Sequence, residues 1–170
     1  MAQAGDGQMC DAVIDRGTLL AIMQAAKKAD DSLLRDYAET TVAVADIKIA
    51  VRSMKTGKNK DFMKRAMAEC NTLDIDRLAT AAVAGMEEIE RYLADTAYAG
   101  GAEALSESAS AFERWCDNRI IETIKPQKYN PFTVGPIVAY ILARLNEIKT
   151  VRIILTCKLN QLPEEAIRER

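Results

Sequence analysis

Residues 140–155 read YILARLNEIKTVRIIL, an apolar run that four charged side chains interrupt. Each charge near the middle of a membrane span would cost roughly 2.5–3.5 kcal/mol, so a bilayer crossing is disfavoured. Within 136–159, apolar residues recur at the spacing of an α-helix. They are Ile137, Ile141, Leu145, Ile148, Leu155 and Leu159. This spacing predicts one long helix whose first half is packed in a core and whose second half reaches the surface.

The composition favours helices along the whole chain. Of its 170 residues, 49% are hydrophobic and 28% charged, which is ordinary usage for a globular protein. Aromatic residues make up only 5%, and eight Gly and four Pro leave little material for the turns of a β-sandwich or barrel. We therefore predict an all-α protein.

Charge and residue types exclude several classes of function. The net charge of −2 provides no basic field that would attract nucleic acid or anionic lipid. The chain has no histidine, the commonest general base and metal ligand, and we predict no catalytic, cofactor or metal site. Its four cysteines follow no zinc pattern, and no secretory signal opens the sequence. They are predicted to be reduced thiols of a cytoplasmic protein: Cys10, Cys70, Cys116 and Cys157.

Periodicity and breakers divide the chain into two helical lobes. Residues 1–12 are predicted to form a disordered leader, 13–99 one lobe and 102–170 a second, with Gly100-Gly101 as the joint. Segments 46–55 and 150–159, DIKIAVRSMK and TVRIILTCKL, align without gaps and suggest a weak internal repeat. The predicted helices cover 15–30, 32–55, 59–67, 71–85, 104–124 and 136–159, with a short one after Pro163.

The turn KTGKNKDFMKR gathers positive charge. Its basic residues are Lys55, Lys58, Lys60, Lys64 and Arg65. A phosphate-binding loop would need a Gly five residues before the Gly-Lys pair and Ser or Thr after it, but Arg52 and Asn59 occupy those positions. We interpret the turn as a solvated basic surface, with a docking patch for an acidic partner as the second reading.

Carboxylates do not point to catalysis either. Glu87, Glu88 and Glu90 form one group, and Glu113 with Asp117 another. Paired carboxylates act as acid and base when a cleft shifts their pKa values, and no pattern in the sequence indicates such a cleft. Solvated helix faces are the favoured interpretation.

The last forty residues resemble a known family. NPFTVGPIVAYILARLNEIKTVRIILTCKLNQLPEEAIRER, 130–170, resembles the C-terminal region of the C subunit of V-type (A/V-type) ATPases and ATP synthases, the counterpart of the eukaryotic d subunit. The residues that carry the resemblance are aromatic Tyr140, acidic Glu147 and basic Arg152 within an Ile/Leu run.

Earlier segments extend this resemblance over residues 13–170. FERWCDNRIIETIK, 112–125, is similar to a family helix through Glu113, Asp117 and Asn118. In the segment 33–63, Asp46 stands where the family usually has Asn. The family's full-length proteins are about twice as long as this chain, so the resemblance covers their C-terminal half.

The resemblance implies a non-catalytic rotor subunit of the central stalk. Its members are funnel-shaped and built from three pseudo-symmetric helical lobes, of which this chain would supply two. The funnel is a socket that couples the rotating shaft, formed by the D and F subunits, to the membrane proteolipid ring for transport of protons or sodium. This implies a cytoplasmic protein, peripheral to the membrane, and self-association of this half is an open expectation.

Two other hypotheses remain open. A free-standing helical adaptor would need no rotor partner. A small nucleotide-dependent transferase would use Lys58 and would be stabilised by ATP or GTP.

Overall fold

In the computed structural model, residues 7–29 and 31–168 are described. They form nine α-helices and one 3-10 helix, with no strand among the described residues, so the predicted all-α class is confirmed. The elements are α1 (Gly7–Ala29), α2 (Ser32–Lys55), α3 (Lys60–Ala66), α4 (Ile75–Ala84), α5 (Met86–Ala94), α6 (Ala99–Glu107), α7 (Ala109–Ile124), the 3-10 helix (Lys125–Tyr129), α8 (Gly135–Leu159) and α9 (Glu164–Arg168). The chain divides into two compact units, residues 1–102 and 103–170.

The first unit is built around α2. The helix starts at Asp31, whose side chain accepts a hydrogen bond from the Leu34 N–H at 3.1 Å, a standard N-cap. It ends before Gly57, whose φ of 65° lies in the left-handed region that glycine adopts without strain. Its buried residues include Val42 and Ile47, and helices α1, α3, α4 and α5 pack against it. Each such aliphatic side chain contributes about 1.5–3 kcal/mol on burial.

Caps define the short helices around α2. Asn59 caps α3 by accepting from the Phe62 N–H, and Asp74 caps α4 by accepting from the N–H groups two and three residues on. The predicted helix 71–85, which would have started at Asn71 and Thr72, therefore begins only after Asp74. Those two residues bind another helix instead, as described below.

Three sequence predictions are corrected by the structure. Residues 7–12 of the predicted leader lie in α1, because Met9 and Ala12 extend its half-buried face at helical spacing; residues 1–6 lie outside the described residues. The Gly100-Gly101 pair is helical, in α6, because burial of Gly101 and its small neighbours offsets a cost of about 1 kcal/mol per glycine. The predicted helix 104–124 is broken at Ser108, whose hydroxyl accepts from the Ala111 N–H at 2.9 Å and starts α7.

In the second unit, α7 packs against α8 and against the 3-10 helix. Phe112 and Cys116 on α7 are buried, and the Phe112 ring stacks on Trp115 with centroids 6.1 Å apart. This small apolar cluster belongs to one face of α7.

Helix α8 is a single helix, as predicted, but its predicted core role is wrong. Of its residues only Gly135 is buried. The apolar residues at helical spacing are each at least 49% exposed, and they define what we call the α8 apolar face: Val134, Ile137, Ile141, Leu145, Ile148, Val151, Leu155 and Leu159. The periodicity identified an apolar stripe correctly, but no described element of this unit covers it.

Candidate interaction surfaces

An ion pair joins α7 to α8. Asp117 Oδ1 accepts a hydrogen bond from Lys149 Nζ at 2.5 Å. The Asp117 side chain is 23% exposed and that of Lys149 45% exposed, so solvent screens the pair and its contribution is of order 1 kcal/mol or less. Asp117, predicted from the family pattern, thus links α7 to α8 through one solvent-screened contact.

The other residues of the family pattern do not join this pair. Glu147 pairs with Arg144 one turn away on α8. Tyr140 and Arg152 are exposed on α8, and Asn118 is exposed on α7, where Glu113 is half-buried. The structure therefore distributes the six residues along two helices instead of gathering them into one site.

The predicted basic docking patch is partly neutralised. Lys64 Nζ lies 2.9 Å and Lys60 Nζ 3.5 Å from Asp76 Oδ1, and Lys60 also donates to Thr80 Oγ1 at 2.8 Å. The hydrogen bond with Asp76 raises the pKa of Lys64, and the same bond lowers the pKa of Asp76. Both groups stay charged at neutral pH and offset each other.

The remaining basic residues of this turn keep their charge available to a partner. Lys58 lies over the Phe62 ring, with Nζ 5.0 Å from the centroid, a cation–π geometry. Lys55 and Arg65 are exposed, and neither forms an ion pair within the described parts of the chain. The patch therefore presents up to three positive charges beside an aromatic ring.

Sequence reasoning missed the interaction that secures the loop between α3 and α4. Glu39 on α2 accepts from the Asn71 and Thr72 N–H groups at 2.5 and 2.7 Å, and from their side chains at 3.0 Å each. Thr72 Oγ1 also lies 2.8 Å from the hydroxyl of Tyr98, which is buried. The signal was the cap-type Asn-Thr pair, which was assigned to a helix start.

Asp46 is the buried acid of the first unit. It is fully buried on α2, its Oδ1 accepts from the Ala68 N–H at 3.0 Å, and its Oδ2 has no hydrogen-bond partner among the described residues. Burial raises its pKa to about 7, although the Ala68 bond and the charge of Arg16 act in the opposite direction. Arg16 in turn donates from Nε to the Met67 carbonyl at 2.7 Å. The Arg16–Met67 and Asp46–Ala68 hydrogen bonds together connect α1 and α2 to the residues that follow α3.

The described residues contain neither a metal-binding cluster nor a membrane-spanning helix. Over residues 7–29 and 31–168, no group of three or more Cys, Asp or Glu side chains is placed to hold a metal ion. Nor is any helix in those ranges long and apolar enough to cross a membrane.

Comparison with known proteins decides the family. The model of the ATP synthase (C/AC39) subunit family matches residues 1–170. The chain belongs to this family. It is also 27% identical, over 156 residues, to the C subunit of the A-type ATP synthase of Methanocaldococcus jannaschii. This match covers 86% of the chain and 39% of the relative, so the chain spans about two-fifths of that relative's length. No solved structure matches the chain significantly.

Proposed function

We propose that this C/AC39 protein is a non-catalytic rotor subunit in the central stalk of a V-type ATPase or ATP synthase. It acts as a socket that couples the rotating shaft, formed by the D and F subunits, to the membrane proteolipid ring, on the cytoplasmic side. The observation that carries the proposal is the family match over the whole chain, together with a relative that is named as a subunit of an A-type ATP synthase.

The build of the first unit supports a mechanical role. A socket must transmit torque without yielding, which requires close-packed helices and short, fixed loops. Helix α2 is surrounded by four helices, and the Glu39 carboxylate holds the α3–α4 loop through four hydrogen bonds. These contacts stiffen the unit and leave its charged surface for docking.

The exposed surfaces support a role in assembly. Protein interfaces combine an apolar centre with a charged rim that sets register. The second unit exposes an apolar surface, the α8 apolar face, and the first unit separately exposes a charged one, the basic turn at Lys55 and Lys58. We also propose that the units at 1–102 and 103–170 are two of the three lobes of the longer family members.

Co-purification from membranes tests the rotor assignment. A tagged full gene product, expressed in cells with an intact ATPase, is expected to bring down the D and F subunits and the proteolipid from detergent-solubilised membranes. Removing the protein is expected to leave ATP hydrolysis without ion transport, and adding it back to restore transport. Recovery of none of these partners would refute the rotor role and favour a free-standing helical adaptor.

Charge reversal tests the basic turn within the same assay. Lys55→Glu with Lys58→Glu is expected to weaken recovery of the partners, because neither charge has an ion-pair partner among the described residues. Lys27→Glu with Lys28→Glu, two exposed residues in the last turn of α1, is the matched control. Equal recovery of both variants would exclude the turn as a docking patch.

A nucleotide test separates the remaining hypothesis. Saturating ATP or GTP is expected to leave the melting temperature unchanged, because Lys60 and Lys64 are already paired with Asp76. An increase in melting temperature that Lys58→Ala abolishes would instead support a nucleotide-dependent enzyme.

A further inference from the structure

Helices α2 and α8 end in two separate turns that have the same backbone conformation. The C-cap of α2 is Thr56 and that of α8 is Asn160, 104 residues further on. The Thr56 N–H donates to the Arg52 carbonyl at 3.0 Å, and the Asn160 N–H donates to the Thr156 carbonyl at 3.1 Å. The same hydrogen bond therefore closes both helices at equivalent positions.

The equivalence continues into the next helix. Gly57 has a φ of 65° and Gln161, at the corresponding position, has a φ of 56°. Helix α3 then begins at Lys60 and α9 at Glu164, again 104 residues apart. A left-handed backbone at a non-glycine residue is uncommon, so this shared geometry strengthens the sequence repeat of 46–55 and 150–159.

The two helices differ in what covers them. Four apolar residues of α2 are at most 7% exposed, whereas their α8 counterparts are between 49% and 66% exposed. The pairs, α2 residue first, are Leu33 and Ile137, Val44 and Ile148, Ile47 and Val151, and Val51 and Leu155. In the first unit α1, α3, α4 and α5 pack against α2, and α1 precedes it by a connection of two residues. Such a short connection makes α1 an antiparallel neighbour of α2.

We propose that the α8 apolar face binds an amphipathic helix of another polypeptide, with acidic residues flanking its apolar stripe. The inference does not rest on the rotor assignment. A helix is the expected occupant because Val134, Ile141, Ile148 and Leu155 recur every seven residues, the spacing of a helix–helix seam. It is the same kind of element that covers α2.

The rim of this face specifies the charge of the partner. Arg144 is paired with Glu147, and Lys149 with Asp117. Arg152 and Lys158 are exposed. Neither forms an ion pair with another residue placed in the structure. The rim is therefore positive after internal pairing, and carboxylates beside the partner's apolar stripe would complement it.

The same charges disfavour a second copy of this chain. An antiparallel pair of α8 helices centred on Ile148 would place Arg144 of one copy opposite Arg152 of the other, and a parallel pair would place each arginine opposite itself. Like charges across a helix seam oppose association.

Binding of designed peptides tests the proposal. A synthetic helix with Leu and Ile at the two seam positions of each heptad and Glu at the flanking positions is the probe. A peptide with Lys in place of Glu is the control for charge. The chain is expected to bind the Glu peptide with one-to-one stoichiometry, measured by calorimetry, and the Lys peptide at least about tenfold more weakly.

Three variants locate the binding surface. Ile148→Asp, at a half-exposed position that should tolerate the change in the folded chain, is expected to weaken binding at least about tenfold. Val83→Asp, at a 59% exposed apolar residue of α4, is the matched control and should leave binding unchanged. Arg152→Glu is expected to reduce the preference for the Glu peptide over the Lys peptide. Circular dichroism verifies that each variant is folded.

Several results would overturn the proposal. Binding that survives Ile148→Asp would place the site elsewhere, and equal affinity for both peptides would refute the acidic partner. Sedimentation that shows a wild-type dimer, dissociated by Ile148→Asp and not by the Glu peptide, would identify a second copy as the occupant. Binding to anionic lipid vesicles in the absence of peptide binding would identify a membrane surface instead.

Discussion

Replacing Asp46 with asparagine removes an ionisable group from the core of the first unit while preserving its shape. The asparagine Oδ1 can still accept from the Ala68 N–H, as the carboxyl does at 3.0 Å. The amide Nδ2 takes the place of Oδ2, which is buried without a partner among the described residues. The substitution therefore isolates the effect of the charge.

The raised pKa fixes the direction of the pH effect. Asp46 titrates near 3.8 when unfolded and at about 7 when folded, because burial disfavours its charged form. Between these values the folded chain keeps a proton that the unfolded chain has lost. The stabilising contribution of the Asp46 carboxyl to the unfolding free energy is thus fully present below pH 3.8 and is lost as the pH rises through 7.

The size of the effect follows from the shift. At about 1.4 kcal/mol per pH unit, the loss amounts to on the order of 4 kcal/mol between acid and neutral pH. The asparagine variant has no such dependence, but an unsatisfied amide N–H would cost about 1–3 kcal/mol at every pH. Asp46→Asn is therefore expected to be equal to or less stable than wild type near pH 4 and more stable near pH 8, by about 1–3 kcal/mol.

Urea denaturation at several pH values, followed by far-UV circular dichroism, measures this difference. Asp36→Asn, an exposed position on the same helix, controls for the loss of one negative charge. Fluorescence of Trp115, the single tryptophan, reports on the second unit and should not change with either variant. Parallel stability curves for wild type and Asp46→Asn from pH 4 to 8 would refute the reasoning, since they would mean that the buried carboxyl keeps an ordinary pKa.

Three further experiments test the packing. Glu39→Gln is expected to lower the unfolding free energy by about 1.5–3 kcal/mol in urea, because it weakens charge-assisted bonds to the α3–α4 loop; an unchanged midpoint would show that the loop is held otherwise. Ile47→Ala is expected to cost about 2–5 kcal/mol, and Val151→Ala, at the equivalent exposed position of α8, less than about 0.5 kcal/mol; similar losses at both sites would contradict the exposure of α8. A double-mutant cycle on Asp117 and Lys149 is expected to give a coupling of about 1 kcal/mol or less that salt reduces, and a salt-independent coupling would argue against a screened surface pair.

The sequence predicted helices best where local chemistry determines them. The bounds of α2 follow from a run of apolar residues at helical spacing and from Gly57 at its end. Ser108 was misjudged because serine within a helical pattern is tolerated in some contexts and acts as a cap in others, and tertiary packing decides between them. The Gly100-Gly101 pair was misjudged for the same reason, since burial of a small-residue face offsets a poor propensity.

Site residues were harder to predict, because their roles depend on partners far away in the sequence. Asp46 and Ala68 are 22 residues apart, and Glu39 reaches Asn71 across 32 residues. No local sequence pattern indicates a contact between residues so far apart in the chain. The family pattern selected Asp117, which pairs with Lys149, but it did not indicate that Tyr140 and Arg152 would be exposed.

The contrast between α2 and α8 shows what periodicity leaves undetermined. An apolar stripe establishes that a helix face gains free energy when it leaves water, but the stripe does not specify which polypeptide covers it. In α2 the cover follows from the same chain, because α1 is joined to it by two residues and the short connection makes the pairing nearly obligatory. In α8 the stripe repeats every seven residues and its rim is basic, yet the described elements of its own unit leave it exposed. Burial of the apolar stripe is therefore favourable in both helices, and among the described residues the α8 stripe is the one of the two that is left exposed.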